Sequence, residues 1–200
     1  LGHVVIADAF HRRLPGIDWE RALTLMSKDL GREYGEAFFQ DGVVHPLTHT
    51  LDLAYGCFCT AAIATEIGDT TVAAQMLEYA SQWKNAFDKN GVLRDSTYYE
   101  GSKYNYSFRL LHDMASRISL AGGDMAFVDL LDTFFGYAAD SVPAPGVSPC
   151  RAEMAEGELL GRFEGFNNEP DMESPYAYIY AGRHDRACEV IRAGLTQCYG

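Results

Sequence analysis

Asn168, Glu169, Asp171 and Glu173 stand together around Pro170, just ahead of Pro175. Their carboxamide and carboxylate oxygens are the ligands a hard cation such as calcium prefers. The same oxygens can hold sugar hydroxyls. The spacing lacks the repeating acids and distal Glu of an EF-hand loop. Acids at a helix start also complement its dipole, which accounts for Asp171 and Glu173 but not for Asn168-Glu169 ahead of a proline. A second candidate lies upstream in Tyr98-Tyr99-Glu100-Gly101-Ser102-Lys103-Tyr104-Asn105-Tyr106. One carboxylate among tyrosines suits a general acid, because aromatic walls lower the local dielectric and raise a carboxyl pKa. Such walls also fit the faces of sugar rings.

Other candidates are weaker. His45 and His49 sit four apart, a spacing that can bind zinc on a helix face, but the glutamate of an H-E-x-x-H motif is missing. Capping and surface roles fit them better. His112-Asp113 precedes a helical stretch, where Asp113 serves as an N-cap. Gly-rich phosphate cradles and Ser-His-Asp or Cys-His signatures are absent. The five cysteines (57, 59, 150, 188 and 198) show no metal-like pair spacing and read as free, buried thiols.

The elements that position these residues are helices. Apolar-periodic stretches are punctuated by Leu14-Pro15-Gly16-Ile17-Asp18, by Gly68-Asp69, by Gly122-Gly123-Asp124 and by Ala181-Gly182. Glycine closing one helix and aspartate capping the next is the expected stop and start chemistry. The pattern predicts helices from Trp19, from about Pro46 to Ile67, from Asp69 to about Phe87, from Met125 to Gly136, from Pro175, and from Arg183 to about Cys198. The hinge glycines 16, 68, 122 and 182 are 52, 54 and 60 residues apart. A near-constant period of helical hairpins implies a toroid or array, so the predicted class is all-α. Short hinges gather at one end. The long connections, about 28–45, 88–105 and 137–170, gather at the other, and they carry Glu33, Glu36, Asp95, Glu100, Asn168, Glu169 and Asp171.

The bulk numbers narrow the function. At 200 residues and 48% apolar, the chain can build a substantial core. A net charge of -12 argues against nucleic acid, whose binding relies on Lys and Arg. No apolar run is long enough to span a bilayer. The start within Val4-Val5-Ile6 and the stop at Tyr199-Gly200 read as those of a fragment.

Four segments in order resemble glycoside hydrolase family 92, the calcium-dependent exo-α-mannosidases. Gly2-His3-Val4-Val5-Ile6-Ala7-Asp8-Ala9-Phe10 resembles the family's G-x-H…V-I-A-D-A-Y helix. Thr50-Leu51-Asp52-Leu53-Ala54-Tyr55 resembles its T-L-E-Y-A-Y helix. Tyr99-Glu100-Gly101, Tyr106-Ser107-Phe108 and His112-Asp113 resemble its Y-T-E-G-N-x-W-Q-Y-S-…-H-D segment. Asn168-Glu169-Pro170, Pro175-Tyr176 and Tyr180-Ala181-Gly182 resemble G-N-E-P-…-P-Y-L-Y-N-Y-A-G.

The resemblance implies part of an (α/α)6 catalytic toroid over residues 1–200, with the family's N-terminal β-sandwich domain and C-terminal catalytic-base segment outside this chain. It implies inverting hydrolysis of terminal α-mannosides, with Glu100 protonating the leaving oxygen. An inverting pair keeps its carboxyls roughly 6.5–9.5 Å apart to admit a water. Calcium, the implied cofactor, falls near Asn168 and Glu169 and engages the mannose 2- and 3-hydroxyls. Arg94, Tyr104, His112, Asp113 and Asp171 are the implied substrate contacts. The implied partners are a mannose-containing glycan, the rest of the toroid and the β-sandwich domain, and the implied setting is extracellular, periplasmic or secretory. Departures include Ser102, Tyr104 and Asn105 for the family's Asn, Trp and Gln, Met172 and Glu173 after N-E-P-x, and a Pro- and Ala-rich insertion over 140–149. The competing readings are a non-catalytic carbohydrate-binding or scaffold toroid and an unrelated α-toroid glycosidase or lyase.

Overall fold

The computed structural model describes residues 2–94, 103–135 and 169–198, with side chains described as far as Leu195. Among them every regular element is helical, and the extended pairing is an isolated bridge between Phe87 and Leu93. The chain divides into two compact units, Leu1–Ala86 and Phe87–Gly200.

The first unit is built on one long buried helix. It comprises α1 (Gly2–His11), α2 (Trp19–Leu30), α3 (Gly35–Asp41), α4 (Leu47–Ile67), α5 (Thr70–Ala80) and a 3-10 turn, Ser81–Ala86. The sequence of α4 is apolar or small on nearly every face, as a helix must be when neighbours surround it. Accordingly α1, α2, α5 and the 3-10 turn all pack on α4. Close approach needs small residues. A Cβ added at Gly56 would lie 2.9 Å from Leu30 Cδ2. Ala7, Leu23, Met26, Cys59, Ile63, Ala64 and Ala73 form the core there. Burying a side chain the size of Leu23, Met26 or Ile63 stabilises by about 1.5–3 kcal/mol. The buried His3 ring ties α1 to α2 through Met26 O at 3.0 Å.

Much of the predicted punctuation holds, although the helix expected from Asp69 to about Phe87 ends at Ala80 and continues as a 3-10 turn. Asp18 and Asp69 accept hydrogen bonds from Arg21 N and Val72 N, and α4 begins after Pro46 and ends at Gly68. Gly68 adopts φ 88 and donates its N–H to Ala64 O and Thr65 O, closing the helix in a left-handed conformation that costs glycine least. All four hinge glycines have positive φ.

The second unit contains α6 (Lys103–Ser107), α7 (Met114–Leu120), α8 (Asp124–Phe135), α9 (Glu169–Glu173), a 3-10 turn (Ser174–Tyr176), α10 (Ala177–Tyr180) and α11 (His184–Cys198). Its core is aromatic. Phe108 lies tilted against Phe134 at 4.9 Å, Phe134 meets Phe135 edge-on at 4.8 Å, and Phe135 lies tilted against Tyr178 at 5.9 Å. Such pairs add about 0.5–1.5 kcal/mol each beyond their buried area.

Four expectations are corrected. Asp124 is the first helical residue of α8 rather than its cap. Gly122 and Gly123, both at φ +99, complete the turn, and the Gly123 carbonyl accepts the Phe127 N–H. The connection after α2 is not all loop, because α3 lies within it. Glu169–Glu173 is itself a short helix, and the helix expected from Pro175 is split into a 3-10 turn and α10. Finally, Cys188 is exposed, whereas Cys57 and Cys59 are buried. Burial pushes the Cys57 thiol up to about 12 and the Cys59 thiol up to about 11. Because the thiolate is the reactive species, native-state alkylation at mildly alkaline pH is expected to modify Cys188 and spare Cys57 and Cys59. Peptide mass mapping checks this, and labelling of either buried thiol as fast as Cys188 would contradict the α4 packing.

Candidate functional site

In the second unit, one buried hydrogen bond ties together two segments far apart in sequence. Asn105 Nδ2 on α6 donates to Asp171 Oδ1 on α9 at 2.8 Å. Asp171 is 1% exposed and Asn105 3%. A hydrogen bond to an ionised group is shorter and stronger than a neutral one, and burial raises the cost of losing it. Beside it, Arg109 Nε reaches Glu173 Oε1 at 3.3 Å, half-exposed and worth about 1 kcal/mol or less. Ser174 Oγ donates to Pro170 O and closes the C-terminal turn of α9. The acidic cluster after Asn168 is thus divided. Asp171 faces the interior, Glu173 meets Arg109, and Glu169 is exposed at the first turn.

The upstream edge is equally ordered. Asp88 Oδ1 accepts from Asn90 N at 2.8 Å and Val92 N at 3.0 Å, an Asx-type turn that Gly91 completes at φ 76. Tyr104 is half-buried, with Lys103 Nζ 5.4 Å from its ring. A cavity of about 240 Å³ opens there, and its lining includes Asp88, Asn90, Lys103, Tyr104 and Thr133. Asp113 caps α7 by accepting from Ser116 N at 3.0 Å, and His112 beside it is half-buried. Arg94 is exposed. Glu100, Asn168 and Asp95 lie outside the described residues.

Two buried polar groups had no signal in the sequence pattern. Arg117 is fully buried between the Phe87 and Phe127 rings, 4.2 and 5.1 Å away. Tyr178 donates to Asp132 Oδ1 at 2.8 Å, and Arg186 lies 3.6 Å from the same oxygen. Burial holds the Asp132 carboxyl above the usual range, while the Tyr178 bond and the Arg186 and Arg183 charges pull the other way. In the first unit, Tyr34 stacks on His49 at 4.6 Å beside a cleft of about 830 Å³ lined also by Arg32, Glu33 and Asp52. Glu33 has φ 48, a strained value for a residue other than glycine. His45 is exposed and precedes a cis Pro46.

Among the described residues, no three His, Cys, Asp or Glu side chains converge at metal-binding range. The exposed Glu169 carboxylate is nevertheless a hard oxygen donor of the kind calcium takes.

Comparison with curated proteins returns no match. Solved structures do match. The family GH92 alpha-mannosidase BT3965 of Bacteroides thetaiotaomicron, in complex with mannoimidazole, is 21% identical with a TM-score of 0.76, covering 100% of this chain and 30% of that one. The same enzyme without the ligand gives 22% and 0.74, covering 98% and 28%. The family GH92 inverting mannosidase BT2199 of the same organism gives 23% and 0.71, covering 88% and 28%. The chain therefore spans under a third of the length of these structures. At such identity the likeness speaks for the fold: helical hairpins forming part of an (α/α)6 toroid. The model of the glycosyl hydrolase family 92 catalytic domain matches residues 2–200, and the chain belongs to that family.

Proposed function

We propose that this chain is the portion of an inverting α-mannosidase that supplies the general acid and part of a calcium and sugar site. Glu100, in Tyr99-Glu100-Gly101, would protonate the departing glycosidic oxygen. The base, together with a β-sandwich domain and the rest of the toroid, would come from the remainder of a longer protein. The observation that carries this reading is the buried bond from Asn105 to Asp171, which joins the segment containing Glu100 to the one containing Asn168 and Glu169. The family match over nearly the whole chain and neighbours named as mannosidases support the mannoside as substrate.

Glu169 and Asn168 would hold the calcium, which when bound supplies positive charge to orient the mannose 2- and 3-hydroxyls. The half-buried Tyr104 ring offers a face for the sugar, and Arg94 is exposed and free of the core to contact hydroxyls. His112 would line the same site. Asp113 and Asp171, both already accepting hydrogen bonds, would serve it by holding α7 and α6 in place.

The test is hydrolysis of an α-linked mannobiose by the full-length protein, followed by NMR of the first-formed anomer. β-Mannose is expected, with activity lost on chelation and restored by calcium. Binding without turnover would favour a carbohydrate-binding toroid, and α-mannose as first product would exclude the inverting mechanism.

A further inference from the structure

The turn between α2 and α3 is built tightly around a residue poorly suited to it. Arg32 N donates to Asp29 O at 3.0 Å, and Gly35 N donates to Arg32 O at 2.8 Å. A Cβ at Gly35 would collide with Leu30 O, so only glycine lets the chain pass there. Within this turn Glu33 holds φ 48, a left-handed conformation that glycine or asparagine takes at less cost. Glu33 is exposed, so burial does not explain the choice. Strain of this kind gathers where a ligand needs a side chain at that spot. The turn presents Arg32, Glu33 and Tyr34 to one face of α4. On that face His49 and Asp52, three residues apart and therefore neighbours on the helix, are half-buried. The Tyr34 ring lies tilted against the His49 ring at 4.6 Å. Together with Asp29 these groups line the cleft of about 830 Å³, a size that suits a small-molecule ligand.

The lining narrows the ligand. Among the described residues, the carboxylates of Asp29, Glu33 and Asp52 stand around one guanidinium, Arg32, which disfavours a phosphate or other anion. No three metal-ligating side chains converge among the described residues, so a bare cation has no cage. A neutral saccharide fits the set. Carboxylates accept from hydroxyls, the guanidinium fork donates to them, and an aromatic face takes the C–H side of a sugar ring. Arg32 Nη1 meets Asp29 Oδ1 at 3.2 Å, an exposed pair weak enough for a ligand hydroxyl to replace. We propose that this cleft of the first unit binds a saccharide residue, with Tyr34 as its platform, Glu33 as hydroxyl acceptor and Arg32 as donor. Naming that residue a mannoside rests on the reading above, whereas the cleft itself does not.

Photolabelling of the full-length protein tests this without relying on turnover. Two probes are used, α-mannobiose and maltose, each bearing a diazirine at its reducing end. The mannobiose probe is expected to label peptides containing residues 29–34 or 49–53, and free mannobiose should compete that label away. Tyr34→Ala should raise the mannobiose concentration that halves this labelling by about threefold to tenfold. Glu33→Gly should raise it too, while the melting temperature stays the same or rises, because the strain leaves with the side chain. Absence of competable label on those peptides from either probe overturns the proposal. So does an unchanged half-labelling concentration in Tyr34→Ala or Glu33→Gly. A lowered melting temperature in Glu33→Gly would mark Glu33 as a residue the turn itself needs, and overturns it as well. If Tyr34→Ala fails to fold, Tyr34→Leu, which keeps bulk and removes the ring, is judged by the same concentration. Label from the maltose probe alone overturns the mannoside reading and upholds the cleft.

Discussion

Glu100→Gln in the full-length protein is expected to lower kcat on unactivated α-mannosides by about 10²–10⁴-fold, the range a positioned general acid contributes. The substitution keeps shape and hydrogen-bonding capacity but offers no acidic proton. Substrate binding should therefore persist, and KM should change far less than kcat. The pH profile supplies an independent check. An acid must be protonated to act, so the alkaline limb of kcat/KM reports its ionisation and should disappear in the variant. Turnover within about threefold of the parent would remove Glu100 from the mechanism, since even the low end of general-acid catalysis is about 10²-fold.

What could be read in the sequence was local. Asp18, Asp69 and Asp113 cap the helices they were expected to cap, because an N-cap bond spans only three residues. Gly16, Gly68, Gly122 and Gly182 turn the chain where expected, because left-handed backbone favours glycine whatever the tertiary setting. Asp124 was misplaced because paired glycines shifted the start of α8 by one residue. The short α3 was missed because its seven residues are too few to show helical periodicity.

The buried polar contacts were illegible for a different reason. Asn105 and Asp171 are 66 residues apart, and Arg117 meets partners 26 and 10 residues away. No spacing rule links such residues. In the sequence Asp171 looks like one more ligand in an acidic run, whereas the fold turns it inward and leaves Glu169 exposed. Period and position on a five-residue helix could not separate those roles, because successive residues point in different directions only once the axis is known. Motif order brought these segments into consideration, and packing set where their described side chains lie.

The Asn105–Asp171 bond should therefore carry more stability than its single hydrogen bond suggests in isolation. Asn105→Ala removes the amide donor that a buried carboxylate receives from α6, and Asp171→Ala leaves a buried amide without that acceptor. Each is expected to cost about 1.5–3 kcal/mol, or about 10- to 150-fold in the local opening equilibrium. Global melts need not be two-state where a chain divides into two compact units. Hydrogen exchange of the α6 and α9 amides is the sharper measurement. Either substitution should deprotect both helices, because each is too short to persist without the other. The double variant should lose less than the sum of the singles, since contacting residues couple by about 0.5–3 kcal/mol. By contrast, Glu173→Gln, at the half-exposed Arg109 pair, should cost about 1 kcal/mol or less. If Asn105→Ala deprotected α6 and left α9 unchanged, the two segments would not be energetically joined. The segments proposed to carry the acid and the calcium would then need some other connection to form one site.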